Sequence, residues 1–254
     1  MHNDIQIGPI TIHMYGVMIA IGLVMALFVS EKRAEKRGLN DNDMIFHLFL
    51  GAIIGGALGT RILYYLVSIP EILKDPSILW NFSNGYVVYG GIIGGILVCM
   101  ICCKMKKVNF LTYFDLIMPQ VALAQGFGRI GCFFAGCCYG RETTSRFSIE
   151  YWNSNLAPNG VKLIPTQLMS SAGDFVIFAL LLLFARKNTT KGRVGALYLI
   201  LYSIGRFIIE MFRDDYRGSV GALSTSQFIS IGMFIIGLVL FFWKRKAVQA
   251  QENL

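Results

Sequence analysis

The sequence predicts an all-α polytopic membrane protein with seven transmembrane helices, the N-terminus outside and the C-terminus cytoplasmic, in a single membrane domain over residues 1–254. Three observations predict it. Hydrophobic residues make up 55% of the chain and charged residues only 15%, and mean hydropathy is positive. Apolar stretches of about 20 residues, the length that crosses the hydrocarbon core, recur along the chain. Lys and Arg, 23 against 15 Asp and Glu, gather in short segments between those stretches. No basic stripe interleaved with aromatics marks a surface for nucleic acid.

Taken in order, the spans fall at about 12–30, 44–68, 86–103, 111–134, 167–185, 194–211 and 227–243. No Lys or Arg precedes the first and no small-residue cleavage site follows it, so it reads as a retained span rather than a signal peptide. Orientation follows from the cations. Lys32, Arg33, Lys36 and Arg37 follow span one, and Lys104, Lys106 and Lys107 follow span three. Arg186, Lys187, Lys191 and Arg193 follow span five, and Lys244, Arg245 and Lys246 follow span seven. Against these fourteen the opposite side has six, Lys74, Arg141, Arg146, Lys162, Arg213 and Arg217. The positive-inside rule sets the fourteen in the cytoplasm.

Two segments between spans then belong to the outer face. Residues 69–85, with Pro70, Ile72, Leu73, Ile78, Leu79, Trp80 and Phe82, are expected to form a helix lying in the interface. Residues 140–166, with Tyr151, Trp152 and Pro158, form an outer loop, and the two together are expected to cap a cavity that opens outward. Gly51, Gly55, Gly56 and Gly59 in span two, and Gly90, Gly91, Gly94 and Gly95 in span three, have the small-xxx-small spacing of closely packed membrane helices.

The chemistry concentrates in residues 125–141, QGFGRIGCFFAGCCYGR. An ionised side chain in hydrocarbon costs several kcal/mol without a partner or a polar cavity, which singles out Arg129. Gly126, Gly128, Gly131, Gly136 and Gly140 around it expose backbone N–H groups and are expected to break the helix where it lines a cavity. The stretch lacks the Lys-Ser/Thr ending of a nucleotide-binding P-loop. In span six, Tyr202, Arg206, Glu210 and Arg213 recur at helical spacing on one face. Arg206 and Glu210 read as a structural i,i+4 ion pair, but Arg61 and Arg129 leave more cation inside than one Glu neutralises. Asp115 and Asp174, the other carboxylates in or near spans, have no arginine at helical spacing. An excess of guanidinium in an outward cavity favours an anionic ligand, and arginine's planar fork suits a phospholipid phosphate.

Cys132, Cys137 and Cys138 read first as packing, then as a redox pair near the outer face, and last as a metal site. C-x4-C-C without a second cysteine pair or a nearby histidine is poor zinc spacing. Cys99, Cys102 and Cys103 end span three on the cytoplasmic side. His13 and His47 sit at helix ends, where a lone histidine is more often hydrogen-bonded than catalytic, and Tyr15 beside His13 is the more informative group.

These residues resemble a family, the bacterial prolipoprotein diacylglyceryl transferases, over nearly the whole chain. IGPITIHMYGVMIAIG at 7–22 is similar to the family's opening span, and GTRILYYL at 59–66 to its Gly-Arg segment. YGGIIGG from Tyr89 resembles its His-Gly-Gly motif, GRIGCFFAGCCYGR its central Gly-Arg signature and PTQL at 165–168 its Pro-Ser-Gln-Leu element. YSIGRFIIEMFRDD, followed by LSTSQFISI, resembles its C-terminal pattern. Three places depart from the family: Tyr89 stands for the usual histidine, Cys132, Ala135 and Cys137 for two asparagines and a glutamate, and, around PTQL, Ile164 for a histidine and Met169 and Ser170 for an aromatic and an acidic residue.

The resemblance implies transfer of the diacylglyceryl group of phosphatidylglycerol to the lipobox cysteine of prolipoprotein signal peptides at the bacterial cytoplasmic membrane. It implies no metal or diffusible cofactor. It assigns Arg129 to the lipid head group and makes Tyr15, Tyr89, Arg129, Tyr202, Arg206 and Glu210 catalytic candidates. Arg61, Gly128, Gly140, Gln167 and Arg213 join Arg129 as candidates for substrate binding. Tyr89 or solvent hydroxide is the candidate base. Two other readings stay open: a paralogue that binds an anionic phospholipid without transferring it, and a membrane thiol–disulfide enzyme that uses the central cysteines.

Overall fold

The computed structural model describes residues 4–7, 10–39, 42–80, 85–188, 190–214 and 218–252. Phe82 and Arg217, used above for the interfacial segment and the charge count, lie outside them. The chain opens on a hairpin of β1 (Asp4–Ile7) and β2 (Ile10–His13), in register Asp4 to His13 and Ile7 to Ile10. The first helix therefore starts later than the apolar run does. Ile10, Thr11 and Ile12 alternate β-branched residues that suit a strand, and α1 begins at Met14 and runs to Lys36.

The other long helices are α2 (Asn42–Val67), α4 (Val88–Met105), α5 (Phe110–Ala135), α6 (Thr166–Lys187), α7 (Arg193–Glu210) and α8 (Thr225–Glu252). Each covers one expected stretch. Five helices, α1, α2, α4, α6 and α8, are long and apolar enough to cross a membrane. The remaining two, α5 and α7, carry the polar residues already noted, among them Asp115, Gln125 and Arg129 in α5 and Arg206 and Glu210 in α7. The described residues form two compact units, Met1–Ser30 with Phe114–Leu254 and, separately, Glu31–Tyr113.

In the smaller unit α2 and α4 meet at their glycines. A Cβ at Gly59 would lie 2.2 Å from the Gly90 carbonyl oxygen, and one at Gly94 would lie 2.3 Å from that of Gly55, so only hydrogen fits. Residues 69–85 contain two short pieces instead of one interfacial helix: α3 (Ile69–Lys74) and a 3-10 turn over Pro76–Trp80. Pro76 has no N–H with which to continue the helix, and the Asp75 carboxylate takes the Ser77 N–H at 3.0 Å, starting the second piece. Leu73 and Trp80 stand exposed.

In the larger unit Ala122 of α5, Ile177, Leu181 and Ala185 of α6, and Val194 and Tyr198 of α7 form the core. Asp115, reaching from α5, takes the backbone N–H groups of Gly192 and of Gly195 (2.8 Å) and so caps the start of α7. The helix break expected around Arg129 does not occur. α5 continues through Gly126, Gly128 and Gly131 to Ala135, and the turn comes at Gly136, whose φ is +68°. Gly126 lies under the Phe175 ring and Gly131 against Tyr15, so packing decides the helix there and overrides glycine's freedom.

After the turn, residues 140–166 fold as a small β lattice. β3 (Ile149–Glu150) pairs antiparallel with β4 (Lys162–Leu163), Glu142 bridges Leu163, and Gly140 bridges Arg213 just beyond α7. β5 (Ser219–Val220) and β6 (Leu223–Ser224) form a last hairpin before α8.

Candidate active site

Arg129 projects from the last third of α5 and is half-buried. Among the described residues no hydrogen bond or ion pair takes up its guanidinium, whereas Tyr202, Cys132, Asp174 and Cys138 lie within electrostatic reach. A guanidinium in that state has its planar fork of donors free to meet an anion. Gly128, one residue before it, has nothing within 4 Å of where a Cβ would stand, so its face is open.

Tyr202, Arg206 and Glu210 share one face of α7, as their spacing predicts. The Arg206 Nη2 lies 2.8 Å from the Glu210 Oε2, and the Arg213 Nε lies 3.9 Å from the same oxygen. The ion-pair reading of Arg206 and Glu210 is thus correct, but one carboxylate is shared by two arginines. Contact with that oxygen is charge pairing without an aligned hydrogen bond. Arg206 also donates to the Ser226 hydroxyl at 2.9 Å, and its Nη1 is buried without a hydrogen-bond partner among the described residues. Tyr202 stacks on Tyr198 at 5.5 Å, and the Tyr198 hydroxyl donates to Gln125 at 2.7 Å.

Asp174 of α6 is the carboxylate that sequence reasoning left unassigned. It is buried, lies within electrostatic reach of both Arg129 and Arg206, and its Oδ2 has no hydrogen-bond partner among the described residues. Its arginines come from neighbouring helices, which no spacing within one helix reveals. The presence of an acid in an apolar span was the only signal.

Gln167 holds the loop. Its side-chain amide donates to the Cys137 carbonyl at 2.8 Å and to the Tyr151 hydroxyl at 3.2 Å, while its Oε1 is buried with no hydrogen-bond partner among the described residues. Thr166 donates to the Cys138 carbonyl at 2.7 Å, and Tyr151 donates to the Phe133 carbonyl at 3.1 Å. Burial, with the Cys137 thiol beside it, holds the Tyr151 phenol well above the ordinary tyrosine range.

The three central thiols converge: their sulfurs all lie within 4.8 Å of one another, with Cys137 and Cys138 at 3.5 Å. Spacing along the chain gave no sign of this. The turn produces it, because Gly136 and Cys138, at φ +68° and +63°, bend the backbone back toward Cys132. Hydrogen bonding to Cys132 and Cys138, then burial, pushes the Cys137 thiol well above the ordinary cysteine range. A thiol held protonated is a poor nucleophile for disulfide exchange. Tyr15, 45% exposed, lies against Gly131 and within electrostatic reach of Arg129 and all three cysteines.

The site candidates therefore divide. Tyr15, Gly128, Arg129, Gly140, Gln167, Tyr202, Arg206, Glu210 and Arg213 belong to the larger unit, and Arg61 and Tyr89 to the smaller. Arg61 is buried among tyrosines. Its guanidinium lies 4.8 Å from the Tyr65 ring centre and 5.6 Å from those of Tyr64 and Tyr86, donating to the Tyr65 hydroxyl and the Gly85 carbonyl. Tyr89 opens α4 and is 36% exposed.

Residues 3–243 match the profile of a family described as prolipoprotein diacylglyceryl transferase. The chain is 48% identical over 236 residues to the phosphatidylglycerol–prolipoprotein diacylglyceryl transferase of Clostridium tetani, a match covering 93% of this chain and 94% of that one. It is 47% identical over 237 residues to transferase 2 of that name from Clostridium perfringens (93% and 92% covered). To the protein of that name from Finegoldia magna it is 34% identical over 252 residues (98% of each).

Proposed function

The chain belongs to the prolipoprotein diacylglyceryl transferase family, and from that premise we propose that it moves the diacylglyceryl group of phosphatidylglycerol onto the lipobox cysteine of prolipoproteins. The single observation that carries the assignment to this site is the Arg129 guanidinium, which has no hydrogen bond or ion pair among the described residues and lies within electrostatic reach of Arg206. Arg129 binds the lipid phosphate, and Arg206 on α7 lies within electrostatic reach of it and adds positive charge to the same site. The thiolate sulfur of the peptide attacks the glycerol carbon. The carbon–oxygen bond to phosphate breaks, and glycerol phosphate leaves with the electron pair. Fixed guanidinium groups stabilise the charge that develops on that oxygen.

Tyr15 and Tyr202 lie within electrostatic reach of Arg129 and line its surroundings, Glu210 orients Arg206, and Gln167 and Gly140 hold the loop beside the site. Arg61 and Tyr89 are assigned to the same reaction from the family pattern, Arg61 for head-group binding and Tyr89 for proton handling. Seven spans, with the N-terminus outside and the site toward the outer leaflet of the bacterial cytoplasmic membrane, fit the charge distribution and the lipid substrate. The test is purified protein in vesicles containing phosphatidylglycerol, given a lipobox peptide. A peptide gaining one diacylglyceryl group by mass spectrometry is expected, and no adduct while the Clostridium tetani relative works alongside would overturn the proposal.

A further inference from the structure

We propose that Cys132, Cys137 and Cys138 hold a thiophilic d10 cation, zinc in the first instance, and that its open fourth position receives the thiol of the substrate peptide. The second half rests on the transferase reading; the first does not. Zinc–sulfur bonds of about 2.3 Å in a tetrahedral site place the sulfurs about 3.8 Å apart. Here Cys137 and Cys138 are 3.5 Å apart, and all three sulfurs fall within 4.8 Å. Closing on an ion takes small rotations of the side chains.

The arrangement is built by the fold. Cys138 adopts a left-handed φ of +63°, which a non-glycine residue takes at a cost of about 1–3 kcal/mol and keeps only when its surroundings fix it. Those surroundings are Thr166 and Gln167, each 1% exposed, which bond the carbonyls of Cys138 and Cys137. Among the described residues no His, Asp or Glu joins the cluster as a fourth ligand. Three protein ligands with one exchangeable position is the arrangement of zinc sites that act on a ligand, whereas four belong to zinc sites that only staple a fold.

Arg129 stands three residues before Cys132 on α5, within electrostatic reach of Cys132 and Cys138. A phosphate on Arg129 and a thiol on the cation would therefore be neighbours. On binding, each protein thiol releases its proton to solvent, and so does the peptide thiol, because a coordinating thiol is deprotonated outright. The bound peptide sulfur then forms the carbon–sulfur bond, and the glycerol phosphate oxygen leaves with the electron pair of the broken carbon–oxygen bond. The step uses no oxidant or reductant.

The test starts from full-length protein in detergent under reductant, with Cys99, Cys102 and Cys103 changed to serine. Cadmium titration should give a sulfur-to-metal absorption band saturating at one equivalent, and C132S, C137S or C138S should each weaken binding at least tenfold. In unmutated protein, micromolar zinc should protect all three central cysteines from maleimide together, a readout that needs no variant to fold. No saturable band, protection of fewer than the three, or filling only at millimolar zinc overturns the site. X-ray absorption of the zinc form should show three sulfurs rising to four with a lipobox peptide and staying at three with its Cys→Ser counterpart. An unchanged shell overturns the substrate-thiol half. Thioether formation by chelator-treated, zinc-free protein does the same while leaving the transferase reading intact.

Discussion

Gly140 and Arg213 face each other across an isolated antiparallel bridge, and the next residue, Arg141, donates its N–H to the Phe212 carbonyl at 2.9 Å. The loop beyond the three cysteines is thereby fastened to the end of α7, where Glu210 meets both Arg206 and Arg213. Gly140 has no room for a side chain. A Cβ there would lie 2.8 Å from the Ile164 Cβ, the Ile164 carbonyl oxygen and the Phe212 carbonyl oxygen. Gly140→Ala is expected to lower stability by about 1–3 kcal/mol, the range for overpacking. Gly128→Ala meets nothing within 4 Å and should leave the melting temperature unchanged. Thermal unfolding in detergent compares the two. Lost turnover in Gly128→Ala with unchanged melting would place substrate against that open face.

Arg129 and Arg206 should separate by the same comparison. Arg129 makes no hydrogen bond or ion pair among the described residues. Arg129→Gln is therefore expected to leave melting within about a degree of the parent while turnover falls about 100- to 1,000-fold, the range for removing one charge-stabilising donor. Equal losses of stability and turnover would show that Arg129 supports the fold instead.

Glu210 pairs with Arg206 at 2.8 Å and also lies 3.9 Å from Arg213, and its side chain is 6% exposed. Glu210→Ala takes the carboxylate away from Arg206, whose Nη1 already lacks a hydrogen-bond partner among the described residues. Removing one partner of a buried pair costs about 3–5 kcal/mol. A large drop in melting temperature is expected, with partial recovery in Glu210→Ala/Arg206→Met, where a cation goes too. A single variant as stable as the parent would mean that water reaches these guanidinium groups freely.

The polar face of α7 and the glycine seam between α2 and α4 were legible in the sequence because both are local periodicities, read directly from helical spacing. The convergence of Cys132, Cys137 and Cys138 was not, since it depends on left-handed backbone at Gly136 and at Cys138, a residue type that carries no such signal. Asp115 and Asp174 were visible as acids in apolar stretches, but their partners come from other helices: the Gly192 and Gly195 amides for one, Arg129 and Arg206 for the other. Arg61 looked like one more free cation, because clustering of Tyr64, Tyr65 and Tyr86 around it requires the chain between Tyr65 and Tyr86 to return on itself. The glycines around Arg129 misled in the other direction. They signalled a broken helix, and at Gly126 and Gly131 the close approach of Phe175 and of Tyr15 explains them better.

Tyr151 makes the loop over residues 140–166 sensitive to alkali. Its phenol is raised above the ordinary range near 10 by burial, so the fold favours the protonated form. The stabilisation it contributes is fully present below about pH 10, where the unfolded tyrosine is still neutral. As pH rises past that value the unfolded state loses its proton while the folded state keeps it, and stability falls until the folded phenol also ionises. The loop should therefore loosen above about pH 10, read as faster cleavage between 140 and 166 by an alkali-tolerant protease. Tyr151→Phe removes the titration together with the bonds to the Phe133 carbonyl and the Gln167 amide. It should cost about 1–2 kcal/mol at neutral pH and flatten the alkaline limb. A variant that keeps the steep limb would assign the loosening to another group.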